Sequence, residues 1–314
     1  MQSDRPPRVV PLQARRAWLR SALGALALPA CLRGDDAPRG DRDGMAEILD
    51  RAKAAGLGPF ARTETAHFAG IGDAPGAFRA EVVAASERAA KDFVDHFREK
   101  GFADTALPTR RMTVVILADA RSYRAFTGQK DDLAVGGHYE IDTNRLVMFD
   151  FRADQGRVNA AAERINTLTL IHETTHILTF NTGILDRKAD VPLAISEGLA
   201  TYGEVWRPNG KGRIGGVNLP RLSGLGRDWL ALSRLLVEDG LLEAEGTRDA
   251  AYAQAWVLIH AHLKSPARLP RLRSYLAAIR GRTDPKHRLD DARGHLGDLE
   301  KLDVDLRRYA SRLG

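Results

Sequence analysis

The segment that most constrains this chain is H-E-T-T-H at residues 172–176. It lies in a stretch, residues 157–180, that contains no Pro or Gly and is predicted to be helical. On an α-helix the side chains at i and i+4 share one face, so His172 and His176 can direct imidazole nitrogens at one metal ion. Glu173 projects beside them, where a carboxylate can take a proton from a metal-bound water as the general base of a zinc hydrolase.

Apolar residues surround this motif within the predicted helix. Leu170 with Ile177, and Ile171 with Leu178, place aliphatic side chains on both flanks of the histidine face. The pattern predicts a buried central helix whose polar stripe lines a cleft. An H-E-x-x-H string also arises by chance, but two histidines and a glutamate buried without a metal would be costly.

A zinc site needs a third protein ligand and an open fourth position, and the next helix supplies a candidate. Residues 191–204 are predicted to be helical, with Asp190 as the N-cap. Glu197 lies within the apolar surface of this helix, where a charged residue is paired or bound to a metal, and the alternative is an ordinary exposed glutamate. Gly198 beside it is predicted to let the two helices approach closely. Glu204 is the rival carboxylate, and its position is more typical of a helix-end residue or one that supports the ligands.

The H-E-T-T-H motif and the later S-E-G-L-A-T-Y at residues 196–202 together resemble the gluzincin metallopeptidases. Within them the chain is most similar to the bacterial peptidase-MA-like proteins, whose second motif resembles W-L-S-E-G-x-A-x-Y. It departs from that pattern before Ser196, where the family often has an aromatic residue. The resemblance covers roughly the last two thirds of the chain, and it implies Zn²⁺ held by His172, His176 and Glu197, with Glu173 as general base.

Two tyrosines are candidates for stabilising the oxyanion that forms when water attacks a carbonyl, Tyr202 and Tyr252. Tyr252 lies in a predicted helix at residues 250–262, in the lobe from which gluzincins often supply such a residue, so the resemblance favours it. The alternative for Tyr252 is an aromatic side chain packed in a helical core. His260 and His262 face different sides of that helix and are predicted to be structural.

The order of predicted elements indicates an α+β fold. A small α/β lobe at residues 45–156 precedes the motif helix, and a mostly helical zinc-site lobe occupies residues 157–314. The predicted elements are helices at 45–57, 77–101 and 296–313, a strand at 111–118, and a hairpin of 138–141 with 145–151. This order resembles the thermolysin-like gluzincin fold, whose sheet edge helps hold an extended peptide by strand addition. His138 lies on such a strand, and it is interpreted as a structural residue at the surface or at the edge of the cleft in preference to a metal ligand.

The first 30 residues are predicted to be an export signal. The pair Arg15-Arg16 resembles a twin-arginine motif, and the apolar stretch that follows is too short to span a bilayer. Cys31 is the only cysteine and follows Leu-Pro-Ala, which resembles a lipobox whose cysteine carries a lipid anchor. The alternative is a free thiol near a simple cleavage site, and either way no disulfide can form within the chain. Residues 31–44 are predicted to be a flexible linker.

Charge helps to exclude one class of function. The formal net charge is +6, but without residues 1–30 the chain has 42 basic and 40 acidic residues, and no basic patch is interleaved with aromatics. Nucleic acid is therefore not expected as a partner.

The sequence predicts an exported zinc metallopeptidase that acts on a peptide or protein in the bacterial envelope. The main alternative is a non-hydrolytic envelope binding protein with the same fold, although a binder needs no general base. A structural helical protein would require both the leader and Glu197 to be coincidences.

Overall fold

The structure is a computed structural model that describes residues 44–129, 136–154, 160–208, 214–226 and 229–313. The predicted export signal at residues 1–30, the candidate lipidation site Cys31 and the rest of the linker up to residue 43 lie outside the described residues. Within these ranges, no helix has the length and apolar character that a membrane crossing requires.

Five strands form one sheet in the described part of the chain. They are β1 (Ala61–Glu64), β2 (Phe68–Gly72), β3 (Met112–Leu117), β4 (Gly137–Glu140) and β5 (Arg145–Phe149). Their spatial order is β1-β2-β3-β5-β4, in which β2, β3 and β5 are parallel and the edge strands β1 and β4 are antiparallel to their neighbours. The predicted central strand and the hairpin are confirmed. The first two strands were not predicted, since β1 is short and β2 contains two glycines, which weaken a strand pattern.

Side chains of β3 and β5 alternate between the two faces of the sheet. Val115 and Val147 face the helices α1 (Met45–Ala54) and α3 (Ala120–Thr127) in one buried cluster. On the opposite face, Val114 and Leu146 belong to a larger cluster that includes the long helix α2 (Gly76–Glu99). The sheet is therefore covered on both sides, as expected for a mainly parallel sheet with nearly continuous apolar strands.

Helices follow the last strand. They are α4 (Phe151–Asp154), α5 (Ala160–Asn181), α6 (Leu193–Gly203), α7 (Leu219–Leu222), α8 (Leu232–Leu235), α9 (Arg248–Lys264), α10 (Leu269–Ile279), α11 (Arg288–Leu296) and α12 (Leu299–Ala310). The fold is thus α+β, with its strands before the motif helix α5 and helices after it. One hydrophobic core runs from the sheet through α5 and α6 to the C-terminal helix, so the two lobes share their interior.

Two helix starts differ from the predictions. Asp190 does not cap α6, because it forms an ion pair with the buried guanidinium of Arg288 at 2.6 Å. The carboxylate of Asp239 instead accepts a hydrogen bond of 2.7 Å from the backbone N–H of Leu193. At the C-terminus, the helix predicted from residue 296 begins at Leu299 behind the cap Asp298.

Candidate metal centre

The packing of α5 against α6 brings the three predicted ligands together. Nε2 of His172 lies 3.1 Å from one carboxylate oxygen of Glu197, and Nε2 of His176 lies 3.3 Å from the other. All three potential ligand atoms lie within 4.8 Å of one another, and this is the only such group in the described part of the chain. Glu197 is only 2 % exposed, so the alternative of an exposed helix glutamate is wrong.

A second carboxylate contacts the other nitrogen of the first histidine. Nδ1 of His172 donates a hydrogen bond of 2.6 Å to Glu204, the residue that follows α6. Arg221 binds the same carboxylate through two nitrogens at 2.5 and 2.9 Å, and the amide of Asn218 donates to it at 2.9 Å. Burial would raise the pKa of Glu204, but Arg221 and the His172 hydrogen bond outweigh it and hold this pKa at about 2. Burial would lower the pKa of Arg221, and the Glu204 carboxylate raises it. Glu204 is therefore an anion that orients the candidate ligand His172.

The donor set fits a zinc ion. In a tetrahedral site with zinc bonds of 2.0–2.1 Å, neighbouring ligand atoms lie about 3.3 Å apart, close to the two distances between the imidazoles and Glu197. Because Nδ1 of His172 donates to Glu204, a neutral His172 directs the lone pair of Nε2 at the Glu197 carboxylate. The lone pair of His172 Nε2 and the Glu197 carboxylate are both acceptors and repel each other, and a cation bound between them removes this repulsion.

Charge also favours a divalent cation here. Three carboxylates, those of Glu173, Glu197 and Glu204, are each no more than 2 % exposed, and Arg221 supplies one positive charge among them. Buried charges are tolerated when they are paired or bind metals. One divalent ion would bring this group to neutrality.

The three candidate catalytic side chains are all buried, and they differ in their contacts. Glu173 is fully buried on the motif helix, next in sequence to His172. Tyr252 is buried on α9, with its ring 5.2 Å from the guanidinium of Arg221. The hydroxyl of Tyr202 lies 3.0 Å from Nε2 of His96. Of the two tyrosines, Tyr252 is thus the one that contacts Arg221, the residue that binds Glu204.

Glycines allow the close helix packing, although not as predicted. A Cβ atom at Gly198 would lie 2.6 Å from the carbonyl oxygen of Ala255, so this glycine accommodates α9 rather than the motif helix. The motif helix is accommodated by Gly203, where a Cβ would overlap the side chain of Thr175. The prediction for Gly198 is therefore wrong in its partner helix, because the faces of α6 could not be assigned before both neighbours were known.

The edge strand β4 lies beside the motif helix. The ring of Tyr139 stacks on His176, with ring centres 6.3 Å apart, and on Phe180 at 5.8 Å. The neighbouring His138 points to the other side, where it contacts the Tyr123 hydroxyl and lies 3.6 Å from Glu140. These contacts agree with a structural role for His138 in preference to a ligand, although its side chain lies on the face of the sheet away from the motif helix.

Several residues of the centre were not found from the sequence. Arg221, Asn218 and Tyr139 contact Glu204 or His176, yet each lies on a different element from its partner. No periodicity links such positions. For Arg221 and Asn218 the available signal was indirect, since a buried Glu204 requires a cation or donors nearby.

One comparison with known proteins gives a match. A family model described as a protein of unknown function, DUF1570, matches residues 166–276. The matched region contains both motifs and Tyr252. No curated protein matches the chain.

Proposed function

We propose that the chain is a zinc-dependent hydrolase of the gluzincin type and that it acts as a peptidase. The observation that carries the proposal is the convergence of His172, His176 and Glu197, buried and at zinc-ligand separations, with the fully buried Glu173 next to His172 on the motif helix. This is a three-ligand donor set of the kind that catalytic zinc sites use. A binding protein or a structural zinc site would not need a general base in that position.

Each residue has a distinct task in this proposal. His172, His176 and Glu197 hold zinc, which when bound acts as a Lewis acid and lowers the pKa of water. Glu173 takes the proton from the attacking water and delivers it to the nitrogen of the departing amine as the carbon–nitrogen bond breaks. Tyr252 donates a hydrogen bond to the carbonyl oxygen as it gains negative charge.

The support for the ligands completes the proposed machinery. Glu204 holds His172 in the tautomer whose Nε2 carries a lone pair that can bind a metal, and Arg221 holds Glu204. Carboxylate partners of this kind orient metal-binding histidines in many sites. The arrangement of the motif helix beside the edge strand β4 agrees with a thermolysin-like fold, in which an extended peptide pairs with the free edge.

Replacement of the proposed base tests the function. Glu173→Gln keeps the shape of the side chain but removes its basicity, so zinc content should remain and cleavage of a peptide library should fall by about 10²-fold or more. Glu163→Gln is the matched control, because Glu163 lies exposed on the same helix. Zinc is measured by metal analysis and cleavage by mass spectrometry of the digested library. A zinc-loaded wild type that cleaves nothing, yet holds a protein partner as well as the Glu173→Gln variant does, would establish the binding-protein alternative.

We also propose that the protein is exported to the bacterial envelope, with a peptide or protein as its substrate. The proposal rests on the Arg15-Arg16 pair and the short apolar stretch before Cys31. Intact-mass analysis of protein from the native host should find a chain that begins at or near Cys31, with a lipid if this cysteine is the anchor. An uncleaved chain in the cytoplasm would overturn the export proposal.

A further inference from the structure

A cationic cavity of about 270 Å³ lies at the end of the sheet where β3 and β5 begin. Four arginines line it, together with two asparagines: Arg110, Arg111, Arg145, Arg187, Asn144 and Asn181. None of the described residues that line the cavity is acidic. A concave surface with one sign of charge concentrates the electrostatic potential and attracts the opposite charge.

Only part of this positive charge is neutralised. Arg145 forms an ion pair of 2.7 Å with Glu47, and Arg111 approaches Glu64 at 3.7 Å. Arg110 and Arg187 are exposed and form no ion pair with any carboxylate in the described ranges. The side chain of Arg145 is 6 % exposed, and its Nη1 is buried without a hydrogen-bond acceptor among the described residues. Arg110 and Arg187 are therefore the two guanidinium groups of the cavity that are available for an anion.

The cavity is connected directly to the candidate metal centre. The ring of Tyr139 stacks on the proposed ligand His176, and its hydroxyl donates a hydrogen bond of 2.7 Å to Asn144 in the cavity wall. Asn144 in turn exchanges hydrogen bonds of 2.8 Å with Asn181, the last residue of the motif helix. The two asparagines are thus held in place at the C-terminal end of the edge strand β4.

We propose that this cavity is a subsite that binds the carboxylate of an acidic residue in a peptide substrate. This proposal rests on the proposed peptidase function. A peptide that pairs with the edge of β4 to which no described strand is bonded passes the proposed ligand His176 at Tyr139 and reaches the cavity where the strand ends. Arg110 and Arg187 are placed to bind the carboxylate, because guanidinium groups match its planar shape. The substrate then carries Asp or Glu at a fixed distance from the bond that is cleaved.

A binding experiment tests this subsite without relying on hydrolysis. The zinc-loaded Glu173→Gln protein is titrated with acetylated and amidated triglutamate, with the matching triglutamine, and with inorganic phosphate. Triglutamate should bind at least about tenfold more tightly than triglutamine, and salt should reduce the difference. The variant Arg110→Gln/Arg187→Gln should lose this preference. The control Arg121→Gln/Arg308→Gln removes two other exposed charges and should keep it.

Each outcome decides the proposal. Equal affinity for the two peptides, or a preference that both double variants lose alike, would overturn the subsite. Phosphate that binds as tightly as triglutamate and displaces it would make the cavity a site for free anions and would also overturn the substrate assignment. If the peptide preference follows the cavity arginines but the wild type cleaves no peptide, the subsite stands and the peptidase function fails. In a digested library, the wild type should favour Asp and Glu at one position, and Arg110→Gln/Arg187→Gln should not.

Discussion

His172 and Glu204 are joined by a hydrogen bond of 2.6 Å between Nδ1 and a carboxylate oxygen, on the side of the imidazole away from Glu197. This contact sets the tautomer of His172, a proposed ligand. The bidentate ion pair between Arg221 and Glu204 in turn fixes the position of the Glu204 carboxylate. Glu204 was the rival candidate for the third ligand position. The structure gives it a supporting position and leaves Glu197 to face both histidines.

This division of tasks predicts different metal affinities for two variants. Glu197→Ala removes a ligand and should lose most bound zinc. Glu204→Gln keeps a side chain that accepts a hydrogen bond from His172, so zinc should still bind but about 10–100-fold more weakly. Competition with a chromophoric zinc chelator measures both affinities. If Glu204→Gln loses zinc and Glu197→Ala retains it, the assignment of ligand and support is reversed.

The two tyrosines should separate catalysis from stability. Tyr252→Phe keeps the ring that packs on Arg221, so the melting temperature and zinc content should stay near those of the wild type while kcat falls. Tyr202→Phe removes the partly buried hydrogen bond to His96 and should lower the free energy of unfolding by about 1 kcal/mol without a change in kcat/KM. Thermal unfolding and peptide cleavage, measured on both variants, check these outcomes. A loss of activity in Tyr202→Phe alone would exchange the two assignments.

Close packing of α6 predicts strong effects of single methyl groups. Gly198→Ala places a Cβ against the backbone carbonyl of Ala255, which cannot move aside, and overpacking of this kind costs about 1–3 kcal/mol. Gly203→Ala meets the side chain of Thr175 instead, so its effect should be smaller in a Thr175→Ala background. Gly246→Ala is the control, because a Cβ there has open space. Chemical denaturation measures the stability of the three glycine variants, of Thr175→Ala and of the double variant Gly203→Ala/Thr175→Ala. Equal stability of the three glycine variants would contradict the packing described for α6.

Buried histidines predict a loss of stability in acid. Burial lowers the pKa of His96, His260 and His262 to about 4, and Lys264 adds repulsion at the first two. An unfolded histidine takes up a proton near pH 6.5, so between that pH and about 4 the unfolded state binds more protons than the folded state. The stabilisation is complete above pH 6.5 and is lost as the pH falls towards 4.

The measurement is the melting temperature of metal-free protein between about pH 7 and about pH 5, a range above the titration of the carboxylates. The melting temperature should fall with pH, and His96→Gln should reduce the slope because one of the three groups no longer titrates. A melting temperature that is constant across this range would show that these histidines are accessible to protons in the folded state.

Local features of the sequence were sufficient for the six helices α1, α2, α5, α6, α9 and α12, for the central strand and for the proposed ligand set, whereas α3, α10 and α11 were not predicted. Two histidines four residues apart share a helix face in any α-helix, and a glutamate within an apolar helix must find a cation or a donor when it is buried. These constraints act within one element, so His172, His176 and Glu197 could be selected before any contact was known. The same holds for the β-branched strand Met112–Leu117.

The tertiary structure alone decided which partners these elements meet. Arg221 binds Glu204, Asp239 instead of Asp190 caps α6, and Gly203 instead of Gly198 faces the motif helix. Each of these contacts joins residues on different elements, and neither helical periodicity nor local propensity carries information about the neighbour that an element will have. The relative placement of helices is set by packing and by the pairing of buried charge, which are properties of the whole core. For that reason the sequence could select the proposed ligands, and only the folded chain could show which residues hold them in place.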